Sequence, residues 1–214
     1  MFSTGLDYFF KGGFMMYPLL LCSMAVLVIA AERFMYYKKN TGGSKFVEQF
    51  CDFIMAGDWA SAKELADNTK GEIGKFATIV MQRHGNIERL EDYMAVRAEK
   101  VCERFEENLN YLNIAVSLAP VMGLLGTVTG MIGSFNALDV RVDNPMAVTA
   151  GIGEALITTV FGLGIAIIGI CVHGYFSKQL REVEISLEEL SNTLMEAIVR
   201  DMCDDACGHK EKGK

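Results

Sequence analysis

One carboxylate stands where little water is expected. Between residues 145 and 177 the only formally charged side chain is Glu154, inside the stretch GIGEALITT, residues 151–159. An ionised acid at the centre of a membrane span costs about 2.5 to 3.5 kcal/mol on insertion scales, so it needs a reason to be there. Gln or Ser would serve a purely structural hydrogen bond. A carboxyl that exchanges between neutral and charged forms can take a proton from one side and release it on the other. The competing reading is an acid paired with the cation of a partner helix.

Hydroxyls could share that work, because they orient or relay a proton without carrying net charge. Thr158 falls on the helical face of Glu154, together with Gly162, Ile165 and Gly169 within about 100° of arc, and Thr159 lies beside that stripe. Upstream, Gly123, Thr127, Gly130 and Ser134 share one face, and Gly126 with Gly130 makes a GxxxG step. Small residues of this kind let helices approach closely in lipid, so Gly123, Gly126, Gly130, Gly162 and Gly169 are candidate packing positions. Each threonine could equally bond its own backbone. His173, at the inner end of the stripe, could assist proton exit or simply pack at the interface.

The elements that must position these groups are helices. The chain has 214 residues, 51% of them hydrophobic, and three prolines. With a mean hydropathy of +0.24 it reads as a helical membrane chain rather than a soluble mixed domain. Crossing a hydrocarbon core takes about 20 apolar residues. Three segments qualify: 14–31, 111–138 and 147–176. Lys38 and Lys39 follow the first and Lys178 and Arg181 the third, whereas the loop at 139–146 has Arg141 alone against Asp139 and Asp143. The positive-inside rule then places the N-terminus outside (periplasmic in a bacterium), residues 32–107 inside and the C-terminus in the cytoplasm. A cleaved signal peptide is disfavoured for the first span, since the positive charge follows the apolar run instead of preceding it. Residues 1–13, with Phe2, Tyr8, Phe9 and Phe10, suit an interfacial segment, and Tyr17 would extend that aromatic belt.

The inner loop reads as short helices. Ser44 and Asp58 are candidate caps, Gly57 and Gly71 punctuate, and Trp59, Ala62, Leu65 and Ala66 share a face. From about Ile87 a longer helix lines up Leu90, Met94, Val101, Phe105 and Leu109 and is expected to run unbroken into span two. After span three, residues 177–203 carry Leu180, Val183, Leu187, Leu190, Leu194 and Ala197 at alternating steps of three and four. That seam fits either a coiled coil or a tail folded back on its own loop. Residues 204–214 are expected to be disordered.

Other function classes find little support. The net charge of −7 disfavours nucleic acid. Cys22 and Cys171 lie in spans, and Cys51, Cys102, Cys203 and Cys207 face a reducing interior, so disulfides are not expected. Cys203, Cys207 and His209 have metal-like spacing but lack a fourth ligand. No nucleophile and base pair or phosphate loop emerges. An enzyme is therefore not expected, nor is a cofactor or metal. A passive membrane scaffold, in which Glu154 only pins a partner helix, stays open beside a proton-handling role.

The stretches YPLLLCSMAVLVIAAERF, APVMGLLGTVTGMIGSF and GIGEALITTVFGLGIAI, in this order, resemble the MotA/TolQ/ExbB proton channel family, and within it the three-span ExbB and TolQ branch. MotA-type chains are similar around span two but have a fourth span. The resemblance implies an all-α membrane protein that assembles as a homo-pentameric bundle, with spans two and three lining a pore and extending into the cytoplasm. It implies two copies of a single-span ExbD- or TolR-type partner inside that pore, bringing an aspartate close to Thr127, Glu154 and Thr159. It also implies residence in the bacterial inner membrane, with proton flow driving a TonB- or TolA-type transducer. A unit charge crossing 100 mV gains about 2.3 kcal/mol, enough for a few protons to outweigh the contacts holding a rotor. Helix geometry favours Thr158 and the family motif Thr159. Thr149 and Ala150 stand where relatives often have a proline, so the entry to span three is expected to bend differently.

Overall fold

The computed structural model describes residues 13–41, 44–82, 87–140 and 145–211. Among them the backbone forms α1 (Met16–Asn40), α2 (Ser44–Met55), α3 (Trp59–Asn68), α4 (Glu72–Met81), α5 (Ile87–Glu106), α6 (Leu109–Val140) and α7 (Pro145–Glu211). No strand occurs among the described residues. The chain divides into two compact units, one drawn from residues 1–33 and 108–176, the other from 34–107 and 177–214.

The first unit holds the three helices long and apolar enough to cross a membrane. Pro18 sits in the first turn of α1, where its missing N–H leaves no bond unmade. Met16, Leu19, Cys22 and Val26 turn inward from α1, and Cys22 packs with Ala119 of α6 and Ala166 of α7. The Cys22 thiol donates to the Ala115 carbonyl at 3.2 Å. The remaining faces are covered with exposed Leu20, Leu21, Leu124, Leu125, Ile167 and Ile168. Such a surface suits lipid or neighbouring subunits and not water. Where α1 leaves the unit, buried Arg33 donates to both carboxylate oxygens of Glu32, at 2.7 and 2.8 Å.

The second unit is a water-type core built from amphipathic helices. Phe46, Phe50 and Ile54 of α2, Ile73, Phe76 and Val80 of α4, and Leu90, Met94, Val101 and Phe105 of α5 are all buried. Asp58 caps α3 by accepting from the Ser61 amide at 3.1 Å. Gly57 (φ 77°) and Gly71 (φ 136°) take left-handed turns that other residues resist, and a side chain at Gly71 would also strike the Asn40 carbonyl. Val183, Leu187, Leu190, Leu194 and Ala197 of α7 are buried within this unit. The seam therefore folds back on the loop helices, with Trp59 Nε1 donating to Asp201 at 3.0 Å.

One expectation is corrected. The helix from Ile87 does not run unbroken into span two: it stops at Glu106 and restarts at Leu109 after a turn at Glu107 and Asn108. There the Asn108 amide donates to Glu32 at 2.9 Å, which fixes the turn from outside the local sequence. The backbone of α7 is helical to Glu211. Residues 212–214, the aromatics Phe2, Tyr8, Phe9 and Phe10, and Arg141 lie outside the described residues.

Candidate functional site

The seam between α6 and α7 is built from residues with almost no side chain. A methyl placed on Gly162 would lie 2.6 Å from the Ala119 carbonyl oxygen and 3.2 Å from the Gly123 Cα. One on Gly123 would lie 3.1 Å from the Thr159 Cα, one on Gly126 2.6 Å from the Thr158 hydroxyl, and one on Gly130 2.8 Å from the Ala155 Cβ. Gly169 meets the Val116 side chain and Gly151 the Ser134 hydroxyl in the same way. As α6 residue numbers rise, those of the α7 partners fall, so the helices run antiparallel with backbones in contact. All five candidate packing glycines lie on this seam. Gly151 and Ser134 extend it toward the loop.

The hydroxyls are fixed by the same seam. Thr158 is buried and donates to the Ala155 carbonyl at 2.6 Å, within its own helix. Thr159 is half-buried and donates across the seam to the Gly123 carbonyl at 2.9 Å. In an α-helix that carbonyl also receives the amide of Thr127, four residues on. Thr127 is half-buried and donates to the Leu124 carbonyl at 2.6 Å. The Thr159 hydroxyl therefore bridges the two helices at the Gly123 carbonyl, the Thr127 hydroxyl stays on its own helix, and Thr158 is sealed in the packing. Thr159 keeps partial access in this chain and Thr158 does not.

Glu154 lies one turn before Thr158 on α7 and is half-buried. Its carboxylate rests against the Cα of Gly13, so close that any side chain there would overlap it. Gly13 has φ 65° and turns the chain into α1, its carbonyl accepting from the Met16 amide at 3.2 Å. The acid is thus held beside the turn that leads into the 25-residue helix α1. Nothing in the residue pattern pointed to this neighbour beyond a glycine pair before an apolar run. His173 is half-buried farther along α7. No group of three or more potential metal ligands occurs among the described residues.

A model of the MotA/TolQ/ExbB proton channel family matches residues 68–189. The putative biopolymer transport protein ExbB-like 1 of Synechocystis is 36% identical over 174 residues, covering 78% of this chain and 68% of that one. The biopolymer transport protein exbB1 of Vibrio cholerae is 27% identical over 165 residues, covering 72% and 71%. Among solved structures, that of C. jejuni MotAB superposes with a TM-score of 0.60 over 87% of this chain and 78% of its own, at 20% identity, which bears on the fold alone.

Proposed function

The chain belongs to the MotA/TolQ/ExbB proton channel family, and from that premise we propose that it is the ring-forming subunit of a proton-driven motor of the ExbB or TolQ type. Five copies would surround two single-span helices of an ExbD- or TolR-type partner, and proton flow would energise a TonB- or TolA-type transducer. The relatives named above carry biopolymer transport names, which favours the ExbB side of that pair.

A single observation carries the reading: one carboxylate, Glu154, stands half-buried on an apolar helix next to a seam that the Thr159 hydroxyl crosses to the Gly123 carbonyl, with Thr127 one turn farther along α6. In the proposed cycle Glu154 accepts a proton arriving from the outer side. The two threonines orient the partner's acid and water between them, and the proton leaves inward. The potential supplies about 2.3 kcal/mol per charge per 100 mV.

The test is Glu154→Gln, assembled with its partner in proteoliposomes under a proton gradient. The ring and the partner complex are expected to form as in the wild type, with proton uptake falling to the level of empty vesicles. Full uptake in a well-assembled variant would favour a scaffold. Loss of assembly would make the acid structural, a reading to which its contact with Gly13 lends some weight.

A further inference from the structure

Helix α5 segregates its charge. Arg97, Lys100 and Arg104 recur at steps of three and four and so occupy one edge, within about 60° of arc. Glu91 and Glu99 lie on the opposite edge, where they share a groove with Glu184 and Glu188 of α7. The basic edge faces α4, and between the two helices lies a cleft of about 120 Å³. Its walls hold Lys75, Arg97, Lys100 and Arg104 against one carboxylate, Glu72, and its floor is apolar, with Phe76 and Val101. Three excess positive charges are gathered in one cleft of a chain whose net charge is −7.

The cations are arranged, not merely present. The Glu72 side chain is only 10% exposed and binds Lys75 at 3.0 Å and Arg104 at 2.5 Å, tying both to the wall while leaving them 65% and 60% exposed. Arg97 is steadied by Tyr93, donating Nε–H to the phenol oxygen at 3.0 Å with its guanidinium carbon 5.2 Å from the ring centroid. That bond leaves the two terminal nitrogens of Arg97 free to act as a fork. Lys100 has no carboxylate partner among the described residues. A fork beside an ammonium over an apolar floor is a recognition surface for phosphate oxygens, which form charge-assisted hydrogen bonds with both.

We propose that the α4–α5 cleft binds a phosphate ester, the headgroup of an anionic phospholipid or a small soluble phosphate. Position along the chain favours the lipid: Arg104 precedes by five residues Leu109, where the helix of the second span begins. Basic residues flanking a span on its inner side sit within reach of acidic headgroups.

Purified full-length protein is loaded with phosphatidylglycerol or phosphatidylcholine, and lipid retention is read by native mass spectrometry. In parallel, glycerol 3-phosphate is titrated by calorimetry. The variant R97Q/K100Q leaves both Glu72 pairs in place. The variant K45Q/K63Q removes equal charge outside the cleft. R97Q/K100Q is expected to weaken phosphatidylglycerol retention about tenfold, with K45Q/K63Q close to wild type and phosphatidylcholine little held by any. Binding of glycerol 3-phosphate with the same variant dependence, and no lipid preference, would support the cleft with a soluble ligand. If neither ligand distinguishes the two variants, and both melt like the wild type, the proposal is wrong.

Discussion

At Gly13 two demands coincide: a left-handed φ of 65° and the absence of any side chain beside the Glu154 carboxylate. Replacing it with alanine imposes about 1 to 2 kcal/mol of backbone cost and drives the acid from its seat. Gly13→Ala is therefore expected to cut proton uptake about tenfold, while Gly153→Ala, which meets nothing within 4 Å, leaves it unchanged. The same vesicle assay decides. At Glu72 burial pushes the carboxyl up, but hydrogen bonds from Lys75 and Arg104 outweigh it and hold the group below its usual range. A lowered folded-state value means stability that is present above the unfolded value, near 4.3, and is lost as pH falls through the folded one. Thermal melts should show a wild-type advantage over Glu72→Gln at pH 7, about 1 kcal/mol because both cations are largely exposed, that shrinks as the pH is taken down through the acidic range below about 4.3. An advantage that persisted there would mean that the carboxyl does not stabilise the unit through its charge.

Among the elements, the α6–α7 seam offers a sharp contrast between glycines. Gly162→Ala places a methyl against the Ala119 carbonyl and the Gly123 backbone, neither of which can swing aside, and should cost about 1 to 3 kcal/mol. Gly164→Ala, two residues on and open to its surroundings, should be neutral or slightly stabilising. Thermal denaturation of the purified assemblies reads both. The seam glycines were legible in the sequence because the spacing of small residues is a property of one helix at a time. The Asp58 cap was legible too, its partner Ser61 being three residues away. The break at Glu107 and Asn108 was not, for the group that fixes it, Glu32, comes from another helix. Nor could periodicity choose a partner for Leu187, Leu190 and Leu194. The spacing says that a face will be covered, and only the fold shows that the loop helices cover it.

For the whole molecule, three apolar helices and a separate polar-surfaced unit make the arrangement across a membrane the question that matters. With the inner loop and the C-terminal helix on the same side, the exposed thiol of Cys203 should be closed to an impermeant maleimide added to intact cells and open to it in inverted vesicles. A variant keeping that cysteine alone makes the measurement clean; labelling in intact cells would reverse the assigned orientation. Charge distribution is the basis for that expected orientation, whereas the contact of Glu154 with Gly13 joins positions too far apart for pattern to reveal. The backbone-to-backbone fit of Gly123 with Gly162 has a mechanical consequence as well. Two rods touching along their main chains, with no pliable layer between them, cannot slide past each other without collision. In the proposed motor a working stroke would carry both together like a single cog tooth, with its compliance at the outward flanks, where long aliphatic chains can deform.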